Sequence, residues 1–169
     1  VMVSLGYGID TMKTKELDNK GGNSAGTIQT IKIGYMPSKT EFGIYNSNIT
    51  SSVSITHDNE DATIGYKLNS VGAYIAHYTN KLHLEFGYGT ASINETIDTD
   101  LTATSLETVK EIYNLNTDNK FPSTEVRALI GLKLFSLSIF TFTVYGQKIK
   151  LLETSHDETN FGLEVKIKI

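Results

Sequence analysis

The sequence predicts an all-β fold: one eight-stranded antiparallel up-and-down β-barrel over residues 1–169, built to cross a membrane. Three observations predict it. Eight stretches alternate apolar and polar side chains with period two. Their connections run long, short, medium, short, long, short, medium, so every short turn falls at one end. The polar face of the alternation is rich in glycine and carries charges of both signs.

The first strand sets Val1, Val3, Leu5, Tyr7 and Ile9 against Ser4, Gly6, Gly8 and Asp10, and a polar stretch from Thr11 to Ala25 follows. From Gly26 to Met36, Ile31, Ile33 and Tyr35 oppose Thr30, Lys32 and Gly34; Pro37 to Thr40 is a tight turn. The third strand, about Glu41 to Thr56, sets Tyr45, Ile49, Val53 and Ile55 against Asn46, Asn48, Thr50 and Ser52. An acidic loop, His57 to Asp61, leads to a fourth strand, Ala62 to Tyr78, whose broken phase suggests a bulge near Asn69.

Thr79-Asn80-Lys81 is the next short turn. Leu82, Leu84, Phe86 and Tyr88 then alternate with His83, Glu85, Gly87 and Gly89. A long polar segment runs from Asn94 to Pro122, with Leu106 to Tyr113 fit for a short helix or a strand extension. Val126 to Leu134 alternates again, the chain reverses around Phe135-Ser136, and Phe140, Phe142 and Val144 begin the seventh strand. After a polar loop from Leu152 to Thr159, Phe161, Leu163, Val165, Ile167 and Ile169 end the chain.

Composition narrows the class. At 39% hydrophobic residues and a net charge of −4, the chain fits neither a disordered segment nor a nucleic-acid binder. It has no apolar run long enough for a transmembrane helix, which leaves barrel strands of about 9–11 residues open. Without cysteine it has no disulfides and no thiolate metal sites. It opens at Val1 inside a strand, which reads as a mature or trimmed form.

Period-two alternation suits either a soluble barrel of the lipocalin kind, apolar face inward, or a membrane barrel, apolar face outward. Glycine favours the second: Gly6, Gly8, Gly34, Gly87, Gly89, Gly131 and Gly162 all share the polar face, where they make room for long side chains inside a narrow bore. Tyr7, Tyr35, Tyr45, Tyr78 and Tyr88 are then candidates for an interfacial girdle. Lys32, Glu85, Arg127, Lys133, Glu164 and Lys166 point inward, with Glu125 and His83 nearby. Buried charges of both signs must pair, and a paired network plugs the barrel. Such a network serves as a gate, as a proton path, or as a polar core that fixes register.

The candidate loops 11–25, 57–61, 94–122 and 152–159 sum to −9 against −4 for the whole chain. Asp58, Glu60 and Asp61, or Asp98 and Asp100, offer hard oxygen ligands to divalent cations; a solvated acidic loop is the plainer reading. His156, Asp157 and Glu158 make at most a weak metal cluster, so no cofactor and no metal site is expected.

The last strand carries the most specific local pattern. Asn160-Phe161-Gly162-Leu163-Glu164-Val165-Lys166-Ile167 resembles the C-terminal signal read by the barrel-assembly machinery, with Asn160, Gly162, Val165 and Ile167 at its key positions and Ile169 where the usual aromatic stands. With the strand layout, the chain resembles the eight-stranded bacterial outer-membrane barrels: the OmpA transmembrane domain, OmpX/Ail and the neisserial opacity proteins. The resemblance implies an outer-membrane location, short periplasmic turns, longer extracellular loops and both termini in the periplasm. It implies contact with outer-membrane lipid and lipopolysaccharide, with Lys148 and Lys150 near the outer rim as phosphate contacts. The expected function is non-enzymatic: an anchor whose loops 11–25 and 94–122 act in adhesion, partner contact or envelope integrity. The alternatives are a narrow OmpW-like channel for small or apolar solutes, a soluble lipocalin-like binding barrel and a lipid A-modifying enzyme. For the last, His77-Tyr78-Thr79-Asn80 is similar to the His-x-Ser-Asn motif of barrel deacylases, but it falls at a short turn.

Overall fold

The computed structural model describes residues 1–13, 25–57, 60–99, 103–113, 115, 117, 120–154 and 156–169. Its elements are β1 (Met2–Lys13), β2 (Ala25–Tyr35), β3 (Thr40–His57), β4 (Glu60–Tyr78), β5 (Leu82–Thr99), α1 (Ala103–Tyr113), β6 (Phe121–Leu137), β7 (Phe140–Leu151) and β8 (Asp157–Lys168). Each strand pairs antiparallel with the next, and β8 pairs with β1 to close the barrel. Closure leaves no open edge, so every strand satisfies its backbone groups on both sides.

The strands are staggered. One row of paired residues runs from Gly131 through Tyr145, Gly162, Gly8, Ile28, Ile49, Leu68 and Ile93 and returns to β6 at Phe121, ten residues away from where it left. That shear requires a strong strand tilt. Paired residues therefore do not share a height, and a single row climbs from the short-turn end to the loop end.

The outer face carries a belt of exposed apolar side chains, among them Leu5, Tyr7, Ile33, Tyr35, Phe42, Ile44, Phe86, Tyr88, Ile130 and Leu163. A soluble barrel would bury this row; a membrane barrel exposes a band about 25 Å tall to lipid. Among the described residues no helix is long and apolar enough to cross a membrane.

Above the belt the polarity inverts, and this corrects the reading of β3. Tyr45, Ile49 and Val53 point inward, while Asn46, Asn48, Thr50 and Ser52 face out. On β4, Ile64, Tyr66 and Leu68 are inside with Lys67 outside, whereas Val71 and Ile75, nearer the short turns, are outside. The loop half of the wall thus follows the rule for water-exposed sheets and the turn half the rule for lipid-exposed ones. This switch accounts for the broken phase on β4. Its pairing to both neighbours is continuous through Asn69, so there is no bulge there.

The irregularity lies in β6, where pairing to β7 shifts between Lys133 and Phe135. Strict alternation ends at that point, and Leu132, Lys133, Leu134 and Phe135 are all exposed. Lys133 still pairs with the inward Thr143, so it keeps the inner phase, but it lies exposed at the short-turn mouth of the bore. The reversal also comes later than Phe135-Ser136: Leu137 pairs with Phe140 around a two-residue turn in which Ser138 has φ 53°.

Several loops are shorter than expected. β3 and β4 extend to His57 and Glu60, Asn94 to Thr99 belong to β5, and Asp157 to Thr159 belong to β8. Leu106 to Tyr113 is helical, within α1. Of the first long loop, Thr11 to Lys13 and Ala25 lie in strands; residues 14–24 lie outside the described residues.

Candidate functional site

Three kinds of layer fill the bore between the turn end and the loop end. Nearest the turns is an ionic lattice. Lys166 Nζ lies 2.8 Å from Glu41 Oε2, and the hydroxyl of Tyr78 donates to the same oxygen at 2.7 Å. The hydroxyl of Tyr74 donates to Glu41 Oε1. Lys32 Nζ sits 2.7 Å from both Glu85 Oε2 and Glu164 Oε2, and Lys166 reaches Glu164 at 3.8 Å. His83 Nε2 is 3.5 Å from Glu85 and its ring stacks on Tyr78.

One level higher, Arg127 donates from Nε to Glu125 Oε1 at 2.5 Å, from Nη1 to Ser47 at 2.9 Å and from Nη2 to Ser70 at 3.0 Å. Its guanidinium carbon lies 3.6 Å from the ring centroid of Tyr45, whose hydroxyl donates to Glu125 at 2.8 Å. The bore admits these side chains because glycines stand beside them on neighbouring strands, as Gly87 does opposite Arg127 in the β5–β6 pairing. A Cβ on Gly87 would stand 2.6 Å from Cγ of Arg127.

Of the charges expected in the lumen, the structure brings Lys32, Glu85, Glu125, Arg127, Glu164 and Lys166 together, while Lys133, on the same inner phase, is exposed at the short-turn rim. Sequence reasoning missed Glu41, which is fully buried. Glu41 shares its phase with Tyr45 and Ile49, the row read as lipid-facing; the signal was a charge on an otherwise apolar row. For the same reason Tyr45 and Tyr78 belong to the bore, while Tyr7, Tyr35 and Tyr88 are exposed on the belt.

Above the lattice the bore turns apolar. Ile28, Ile49, Leu68, Ala91, Ile93, Ile149 and Leu151 form one buried cluster, with Phe121 against it. A second, of Val53, Ile64 and Tyr66, packs with Ile55, Tyr113 and Leu115. Tyr113 of α1 packs against this second cluster, and Val109 on the same helix is wholly buried. The C-terminus of α1 is closed by the Leu115 amide, which donates to the Lys110 carbonyl at 2.9 Å.

Acids expected in solvated loops lie in this upper chamber. Glu95 is buried with its Oε1 3.1 Å from His156 Nε2, and Glu158 is buried on the inner face of β8. Asp157 faces outward, 3.7 Å from Lys148. Asp157 is thus separated from the buried His156 and Glu158, and the described residues hold no group of three or more metal-ligating side chains drawn from His, Cys, Asp and Glu. Of the acids picked as cation ligands, Asp61 accepts from the Thr56 hydroxyl at 2.7 Å; Asp58 and Asp100 lie outside the described residues.

On the outer surface, Lys148 and Lys150 are exposed on β7, above the apolar belt. Just below them a groove of about 490 Å³ is lined by Ile9, Ile130, Leu132, Val144, Gly146 and Phe161. Of the assembly pattern on β8, Asn160 is buried inside, Gly162 shares its inward phase, and Val165 and Ile167 lie on the outer face. The deacylase-like tetrad is structural at its centre: the Leu82 amide donates to the Thr79 hydroxyl at 2.9 Å, and that hydroxyl donates to the Leu82 carbonyl at 3.1 Å.

No protein-family model and no curated protein matches the chain. Solved structures do. Neisserial surface protein A is similar with a TM-score of 0.56 and 12% identity, covering 99% of this chain and 96% of that one. Ail, the attachment invasion locus protein of Yersinia pestis, solved with the heparin analogue sucrose octasulfate, is similar with a TM-score of 0.54 and 15% identity, covering 98% and 97%. The outer membrane protein OprG from Pseudomonas aeruginosa has a TM-score of 0.52 and 11% identity, covering 99% and 96%. The fold of this chain is that of the eight-stranded outer-membrane β-barrels.

Proposed function

We propose that the chain is a non-enzymatic outer-membrane protein: a closed anchor that presents its loop end at the cell surface for adhesion, partner contact or envelope integrity. The carrying observation is the double seal of the bore. An ionic lattice alone is compatible with a gate, because charges can exchange partners. Here an apolar layer centred on Ile28, Ile49 and Ile149, all of them fully buried, lies above the lattice, and a second apolar cluster holds Tyr113 of α1. Dewetting of such a layer opposes ion passage even where the lattice rearranges.

In this reading the short turns and both termini are periplasmic, and β8 is read by the barrel-assembly machinery through Asn160, Gly162, Val165 and Ile167. Lys148 and Lys150 meet phosphates of outer-leaflet lipopolysaccharide, whose acyl chains have the Ile130–Phe161 groove beside them. The partner-facing surface comprises residues 11–25, α1 and the polar outer wall of β3 to β5. Deletion of residues 100–120 tests the reading. The expected variant still shifts in gel mobility between boiled and unboiled samples but loses binding of expressing cells to host or partner surfaces. Loss of the folded form sinks the division into anchor and contact surface; unchanged binding sinks the role of the helical loop.

A further inference from the structure

The upper chamber holds an unbalanced charge. Asp10 on β1 is opposite Asn160 on β8, and Glu158 lies two residues further along the same inner face. Relative exposures are 1% for Asp10, 1% for Glu158 and 0% for Asn160. The carboxyls of Asp10 and Glu158 meet within hydrogen-bonding reach, yet neither oxygen of Asp10 has a donor, nor does Glu158 Oε2. Independently of these acids, both amide atoms of Asn160 are unpartnered in the same place. Asp10, Asp157 and Glu125, all acidic, are neighbours of Glu158. The nearest guanidinium, Arg127, is already committed to Glu125, Ser47 and Ser70.

The contrast with the turn end is direct. There, Glu41, Glu85 and Glu164 each face a lysine. Two buried carboxylates and an unsatisfied amide without a cation leave their desolvation uncompensated. A bound positive ion compensates it.

We propose that Asp10, Glu158 and Asn160 form an internal site for a hard divalent cation, with calcium as its ion. Two Asp10 oxygens, Glu158 Oε2 and the Asn160 amide oxygen are all-oxygen donors of total charge −2, which a divalent ion neutralises. Calcium tolerates irregular geometry and mixed carboxylate, amide and water ligands, whereas magnesium demands a near-octahedral shell. The site ties β1 to β8, the seam that closes the barrel, and this links ion binding to closure at the loop end.

Because the site is enclosed, the ion is loaded during refolding into detergent, with calcium, with magnesium or with chelator. The expected result is a higher thermal unfolding temperature with calcium than with chelator, and a smaller shift with magnesium. Asp10→Asn and Glu158→Gln each abolish the calcium shift, while Asp58→Asn, in the loop, leaves it intact. The proposal is overturned if wild type melts alike with calcium and chelator. It is equally overturned if the shift survives in the Asp10→Asn/Glu158→Gln double variant, because surface acids then bind the ion. Stabilisation by acid alone, with no calcium effect, overturns it in favour of a shared proton. Where the variants do not fold, calcium retained by desalted folded wild type decides: one ion per barrel supports the site and none overturns it.

Discussion

Arg127 and Tyr45 converge on one acceptor: the guanidinium carbon lies 3.6 Å from the ring centroid, and both side chains donate to Glu125 Oε1. The three come from β3 and β6, across the bore from one another, so they clamp the barrel wall from inside. Arg127→Met leaves Glu125 buried without a counter-charge, with an expected loss of about 3–5 kcal/mol. Arg127→Met combined with Glu125→Gln recovers much of that loss, since removing both charges also removes the desolvation cost. Reversible unfolding in guanidinium of the detergent-refolded barrel measures both. Equal losses in the single and double variants contradict the clamp.

Glu153 staples the β7–β8 loop to β6. Its carboxylate accepts from the Thr124 hydroxyl at 2.6 Å and the Ser123 hydroxyl at 2.8 Å, and also from the Thr124 amide. These bonds, the Thr124 hydroxyl first, hold its pKa down from the ordinary 4.5 to about 2. A lowered pKa means that the staple contributes fully above pH 4.5 and fades as pH falls toward 2. Hydrogen exchange at residues 151–154 is expected to be protected at neutral pH and to lose that protection over this acid range. Glu153→Gln is expected to flatten the profile.

The turn between β6 and β7 puts Ser138 at φ 53°, the left-handed region. Two-residue hairpins of this kind favour glycine there. Ser138→Gly is therefore expected to stabilise the barrel by about 0.5–1 kcal/mol, the order of the strain a side chain meets in that region. Slower unfolding in denaturant jumps checks this. A destabilised variant means that the Ser138 side chain makes a compensating contact.

Strand number, closure and most of the lattice were legible because period-two alternation survives in the turn half of most strands. What failed failed for two physical reasons. A single polarity rule was applied along whole strands, but the wall leaves the lipid belt partway, so Tyr45 and Ile49 turn inward and Glu41 is carried in with them. Alternation also does not mark where the bore ends, and Lys133, on the inner phase, lies at its exposed short-turn mouth rather than among the buried charges. Glu95 and Glu158 were read as loop acids because a charge next to a polar run signals solvent; only the extension of β5 and β8 shows them inside.

The order of the layers makes conductance a sharp measurement. Lys32→Ala removes the cation between Glu85 and Glu164 but leaves the apolar layer of Ile28, Ile49 and Ile149 closed. In planar bilayers both wild type and Lys32→Ala are expected to show no steady conductance. Ile49→Ala in that background thins the seal and costs about 2–5 kcal/mol of stability through the cavity it leaves. It is the combination, not the charge change, that is expected to admit ions. Steady wild-type current that responds to Lys32 or Glu85 substitution would instead show that the lattice gates a narrow channel, and the closed-anchor reading falls with it.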